Sequence, residues 1–215
     1  KVTGVQTCAL PIWDSASLLL FSKNVFDPLI YYSHLGPLTL SLALLLLVAF
    51  SDSKALLNRL LIALISFFCI WTIFDLILWA TEKSEYVMFF WSIMIFFELL
   101  VYVTAFYFFY VFSSKHDLRF PYKLAIGSVF LPLVFFVASK YNLEFFDFTN
   151  CDREASEGIL WKYTYIIEGF FVVGIFVEAV IGTMRSKRRK DIKELLLVAS
   201  GIVLDRKSTR LNSSH

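Results

Sequence analysis

The chain has 215 residues, 58% of them hydrophobic and 24 of them Phe, with 18% charged residues and a formal net charge of +2. A soluble domain of this length interleaves charge throughout, whereas runs such as LTLSLALLLLVAF and FFELLVYVTAFYFFYVF have no polar face. That composition excludes an ordinary water-soluble fold and points to helices bathed in lipid. There is no Gly-rich phosphate loop, nucleic-acid motif, internal repeat or metal-ligand spacing, so no nucleic-acid partner, metal or cofactor is expected.

The ends are read first, because they bound everything between them. Residues Asp205 to His215 can be encoded by codons whose reverse complement encodes Val2 to Ile12 in full. Inverted nucleotide repeats of this kind belong to sequencing libraries rather than to folds. Residues 1–12 and 205–215 are therefore expected to be translated adapter and are set aside; the alternative is a real polar tail at each end. Cys8 falls in this adapter, leaving Cys69 in an apolar run and Cys151 in a polar loop, which is no disulfide framework.

Residues 13–30 form an extracytoplasmic lead-in, too interrupted to cross a bilayer and stopped by Pro28. A hydrocarbon core of ~30 Å needs roughly 20 apolar residues of helix. Five stretches are expected to supply them: 31–50, 60–80, 86–112, 124–139 and 163–184, the fourth broken by Pro132. A sixth, ELLLVASGIVL, starts at Glu194 and is cut off at Leu204. The expected fold is all-α: a polytopic membrane helix bundle spanning 31–204, with five complete spans and a truncated sixth of a seven-helix bundle.

Basic residues set the orientation. Loop 51–59 carries Lys54 and Arg59, loop 113–123 carries Lys115, Arg119 and Lys123, and loop 185–193 carries six basic residues. The alternate segment Lys140 to Lys162 holds five acids against three bases. The three basic loops are therefore expected in the cytoplasm of a multi-pass cell-membrane protein, with the residues before span one outside. Trp79 and Trp161 fall near the outer ends of their spans, where indoles anchor in the headgroup region.

Four acids fall inside spans: Asp75, Glu98, Glu168 and Glu178. A carboxylate in hydrocarbon costs roughly 2.5–3.5 kcal/mol on insertion scales, so such residues face a bundle interior and mark function or interhelical hydrogen bonds. Counting at ~1.5 Å per residue from the span ends, Asp75 and Glu168 share an outer layer and Glu98 and Glu178 a deeper one. Trp71, Asp75 and Trp79 recur every four residues and share a helix face. No Lys or Arg lies within a span, so these carboxyls are expected to be protonated or hydrogen-bonded, with Tyr102, Thr104, Tyr107 and Tyr165 as candidate partners. The candidate ligand- or proton-sensing residues are thus Asp75, Glu168, Trp71, Trp79, Glu98 and Glu178. The alternative is a structural role in fixing the bundle. His34 reads as a satisfied histidine at the outer membrane surface. The acids Asp147, Asp152, Glu154 and Glu157 read as a solvated outer loop, because their spacing fits no calcium loop. No nucleophile or metal-ligand set accompanies any of these acids, so no catalytic residue is assigned.

IFDLILWATEKSEYVMFFWSIMIFFELLVYVTAFYFFYVF resembles the paired second and third spans of the seven-helix N-terminal region of bacterial sensor histidine kinases. SVFLPLVFFVASKYNLEFFD, with Pro132 in mid-span, is similar to that region's fourth span and outer loop, and GILWKYTYIIEGFFVVGIF to its fifth. The resemblance covers most of Phe50 to Leu204 and rests on span spacing, Trp79, Trp91, Pro132 and Tyr165. It implies a non-enzymatic membrane input module, with the lipid bilayer as its surroundings. A missing cytoplasmic output domain (PAS, GAF, kinase or cyclase) and a homodimer are its implied partners. The sequence departs from the family pattern in the bulky IMIFFELL, so no family ligand is carried over. The rival expectation is a secondary transporter or channel using the buried carboxylates.

Overall fold

The computed structural model describes residues 28–51, 55–80, 84–147 and 154–185. The elements run α1 (Pro28–Ala49), α2 (Leu56–Ala80), α3 (Ser84–Ser114), α4 (Phe120–Ser128), α5 (Leu131–Phe136), β1 (Leu143–Asp147), β2 (Glu154–Glu157) and α6 (Ile159–Arg185). Helix dominates because an apolar chain in lipid must pair its backbone within each segment. The helix α3 is the hub: α2 packs on it, α6 packs on it, and α1 lies on α2.

Among the described residues, three apolar helices are long enough to cross a membrane: Leu56–Leu78, Glu85–Ser114 and Ile159–Met184. Only 22%, 28% and 22% of their respective apolar stretches is buried within the protein. Outward-facing residues include Phe170 at 69% exposure and Phe135 at 74%. Apolar surface on this scale demands an apolar solvent, and three such helices fit a multi-pass membrane protein. Two of the five expected spans are shorter apolar helices, Ser33–Ala49 and Phe120–Phe136. The sixth expected span, 194–204, lies outside the described residues, as do the adapter segments and residues 13–27 of the lead-in.

The main core joins Leu78 of α2 and Val87, Met94, Ile95, Leu99 and Val103 of α3 to Leu133 of α5, with Leu143, Leu160 and Trp161 closing it. Trp161 is 3% exposed. It is therefore a bundle residue and not the headgroup anchor expected from its position. A second cluster, Ala105, Phe109, Ile175 and Ala179, continues the α3–α6 seam. There Gly174 lets α6 approach closely, since a Cβ at this position would stand 2.9 Å from the Phe106 ring.

The fourth expected span is broken as foreseen, though not at Pro132 itself. α4 ends at Ser128, and Pro132 sits in the first turn of α5, where its missing N–H costs nothing. The break leaves Val129 O without its helical donor, and the Tyr163 hydroxyl of α6 donates to it at 2.9 Å. A kink at membrane depth is tolerated when a neighbouring helix satisfies the opened backbone in this way. At the far end of α3, Lys115 adopts a left-handed backbone, φ 61°. Its N–H closes on Val111 O at 2.9 Å, an αL helix cap.

The fold is not purely helical. The stretch read as a solvated outer loop contains an antiparallel hairpin, with Leu143 opposite Glu157 and Asp147 opposite Glu154, and an irregularity between Leu143 and Phe146. Asn142 fastens it to the helices. It is fully buried, and its Nδ2 donates to Ser92 O of α3 at 3.1 Å and to Val137 O beyond α5 at 2.7 Å. The Gly158 N–H donates to Asn142 O at 2.7 Å, and the Leu160 N–H to Tyr141 O at 2.8 Å. The hairpin thus closes on the first turn of α6.

Candidate functional site

The hairpin stands at the end of the bundle where α2 finishes and α3 and α6 begin. Acids from four elements gather there. Asp75 comes from the last turns of α2, Glu98 from the first half of α3, Glu157 from the end of β2, and Glu168 from the first half of α6.

Asp75 has a partner that was not expected. His34 of α1 places Nε2 at 2.9 Å from Asp75 Oδ2, with both side chains largely shielded. The histidine's other ring nitrogen, Nδ1, lies 3.3 Å from Ser33 Oγ. A lone His beside Gly36 and Pro37 gave no sign of this pairing, because the contact depends on how α1 lies against α2. The expectation that Asp75 lacks a basic partner is corrected accordingly.

The layer assignment is corrected too. Glu98 interacts electrostatically with Asp75 and Glu157, and Tyr165 with Glu157, Glu98 and Glu168. Glu98 therefore belongs with Asp75, Glu157 and Glu168 at the hairpin end. Glu178 does not accompany it: Ser113, at the opposite end of α3, donates to Glu178 Oε1 at 3.2 Å. The depth count misplaced Glu178 because α6 begins at Ile159, four residues before the expected Tyr163, which carries Glu178 further down the bundle.

Tyr165 is the residue that ties the hairpin to the site. Its hydroxyl donates to the Glu157 carboxylate, 3.0 Å from each oxygen. Tyr165 is thus a carboxyl partner as expected, but the carboxyl it binds is Glu157, from the stretch expected to be a solvated loop. Glu157 is exposed by area. Even so, loss of water around its carboxylate holds it above the ordinary carboxylate range, against the lowering effect of the Tyr165 hydrogen bond. Glu168 is 3% exposed, one of the few buried acids.

Trp71 stacks on Phe68, 6.2 Å between ring centroids, and its indole N–H is buried without a hydrogen-bond partner among the described residues. Trp79 lies on the same α2 face by helical spacing, and its side chain is outside the described set. The buried hydroxyl of Thr72 is satisfied within its own helix, by Phe68 O at 2.9 Å. Two of the other candidate partners, Thr104 and Tyr107, go elsewhere. Thr104 is buried in the α3 core, and the Tyr107 hydroxyl donates to Asp117 at the opposite end.

That opposite end carries the basic residues Arg59, Lys115, Arg119 and Lys123. Lys123 Nζ sits 2.6 Å from Asp117 Oδ2. The Lys123 and Tyr107 hydrogen bonds hold the Asp117 carboxyl below its usual range. The pair is exposed, so its stabilising effect is small. Arg59, Lys115, Arg119 and Lys123 thus lie at the end opposite Asp75, Glu98, Glu157 and Glu168, although Asp117 and Glu178 share the basic end and Lys140 and Lys162 share the hairpin end. No group of three or more potential metal ligands occurs among the described residues.

The shifted acid gives a pH prediction. A carboxyl raised above its unfolded value stabilises the fold fully below about pH 4.3, the ordinary glutamate value, and that contribution is lost as pH rises through the raised folded value. Glu157→Gln, which mimics the protonated acid, is expected to flatten this loss. The difference stays under about 1 kcal/mol because the group is screened by water. Thermal unfolding in detergent at pH 4 and pH 8 checks it: the variant gains on the wild type only at the higher pH.

Compared with known proteins, the chain matches no family model, no curated protein and no solved structure.

Proposed function

We propose that this chain is the membrane-embedded input module of a signalling protein, with its acid cluster facing outside and its basic end in the cytoplasm. In this reading Ser33–Ala49 and Phe120–Phe136 also cross the bilayer, giving five complete spans, and 194–204 begins a sixth of seven. The observation that carries it is the gathering of His34, Asp75, Glu98, Glu157, Tyr165 and Glu168 at one end of the bundle, opposite the basic residues. Intramembrane carboxylates are expensive and persist where they are used. The resemblance of residues 50–204 to the seven-helix region of sensor histidine kinases supports the same reading.

The module would act through helix packing. A stimulus can shift such an equilibrium only by its differential affinity for the two arrangements. At this site the differential would come from charge, because the contributing groups sit on five elements, and any change in their packing changes the distances between those groups. The output would then pass to a cytoplasmic domain beyond 204.

The test uses the protein joined to its native downstream domain. Asp75→Asn and Glu168→Gln are expected to change output activity while membrane insertion persists. Unchanged output in both variants would remove the site from the mechanism. Reconstitution in liposomes separates the transporter alternative: the input-module reading expects proton and cation flux no greater than in empty liposomes. Flux abolished by Asp75→Asn would replace it.

A further inference from the structure

Helix α1 is the least anchored of the long helices. Its main packing is against α2. The buried part of that contact is small: Leu38, Cys69 and Leu76, flanked by Leu35 and Ile65. Beyond it, Leu40, Leu42, Leu44, Leu46 and Leu47 all face outward. In water such a contact would be driven by apolar burial. In a bilayer it is not, because lipid tails are as apolar as leucine and compete for the same surfaces. Polar contacts then weigh more, and His34 Nε2 lies against Asp75 Oδ2 at 2.9 Å across this interface.

Histidine is the side chain whose charge changes between about pH 5 and 8. From the geometry of this contact we propose that α1 is a proton-controlled clamp: charged His34 holds it on Asp75, and deprotonation loosens it from α2. The charged and titratable groups around the pair favour this sign. Asp75 comes from α2, Glu98 from α3, Glu157 from β2, and Tyr165 and Glu168 from α6. Glu85 of α3 and Lys162 of α6 are exposed. Acids thus predominate, and a proton on His34 is the positive charge that balances them. Neutral His34 still donates from Nε2 when Nδ1 accepts from Ser33 Oγ. Deprotonation therefore removes the charge attraction between α1 and Asp75 and leaves only a neutral hydrogen bond. α1 loosens without leaving the bundle. The clamp is a property of the helices and does not depend on any output domain.

The experiment measures the distance between α1 and α2 in the full chain in lipid nanodiscs. Spin-labelled noncanonical amino acids at Leu40 and Ile73 leave the native cysteines in place. The short-distance population is expected to dominate at pH 5, and the closed-to-open ratio to fall roughly tenfold by pH 8, within the usual range of site couplings. Its midpoint should coincide with the His34 ring titration followed by NMR. His34→Gln should abolish the pH response, and His34→Lys should stay closed at both pH values. A wild-type distribution identical at pH 5 and pH 8 would overturn the clamp. So would midpoints that differ, a pH response retained in His34→Gln, or a His34→Lys chain that opens like the wild type. If neither variant inserts, the two wild-type midpoints alone decide the matter.

Discussion

Alanine at Gly158 is expected to destabilise the chain by about 3 kcal/mol, the upper end of the usual cost of overpacking. A Cβ there would stand 2.2 Å from Tyr141 O and 2.6 Å from its carbonyl carbon. Both are backbone atoms, so no side chain can rotate aside, and the chain itself must shift. The shift would break the Gly158 N–H bond to Asn142 O, which seats the hairpin on α6. It would also move Glu157, the adjacent residue, away from the Tyr165 hydroxyl. The measurement is thermal unfolding in detergent, combined with the Glu157 titration. The expected result is a lower Tm and a Glu157 that behaves as an ordinary glutamate. Gly169→Ala is the control: nothing lies within 4 Å of its added Cβ, so it should cost nothing and gain slightly in helix propensity.

Leucine at Asn142 is expected to cost about 2 kcal/mol net. The substitution keeps the branching at Cγ and removes both donors, leaving Ser92 O and Val137 O without the amide. Each buried acceptor so abandoned costs about 1–3 kcal/mol. Part of this is offset, because Asn142 Oδ1 is itself buried with no partner among the described residues, and leucine removes that atom. Val137 O lies at the end of α5 and Ser92 O on α3, so the amide staples three elements at the foot of the hairpin. Proteolysis of the hairpin, read as cleavage after Lys140 in intact liposomes, should rise in Asn142→Leu. It should stay at the wild-type level in Lys162→Gln, a substitution at an exposed site on α6.

The long helices were legible because apolar runs are one-dimensional signals. The expected 60–80, 86–112 and 163–184 became 56–80, 84–114 and 159–185. Each helix continues past its apolar run into residues such as Asn58, Arg59, Ser84 and Glu85, where hydropathy falls but backbone bonding persists. A break near Pro132 was legible from the proline, although it falls just before that residue, between Ser128 and Leu131. The tyrosine that satisfies it was not, since Tyr163 is 34 positions away from Val129. The hairpin was missed because the acids Asp147, Asp152, Glu154 and Glu157 suggested solvent, and the short strands carry no sustained alternation to set against them.

The site was half legible. Intramembrane acids identify themselves by cost, so Asp75, Glu98 and Glu168 were found. Their companions His34 and Glu157 were not, because each lies in a different element and only the packing of α1 and the hairpin brings it near. Helical counting also failed for Glu178, since depth is measured from the true helix start and not from the first apolar residue.

In the proposed orientation the bilayer separates the acid-bearing hairpin end from the basic end. Labelling with a membrane-impermeant maleimide in intact cells tests it most directly. With Cys8→Ser, the native Cys151, between β1 and β2 in the sequence, should react from outside. In a second chain that also carries Cys151→Ser and Arg119→Cys, residue 119 should react only after the membrane is opened. Equal labelling of both positions in sealed cells, or residue 119 reacting from outside while Cys151 is protected, would contradict the account.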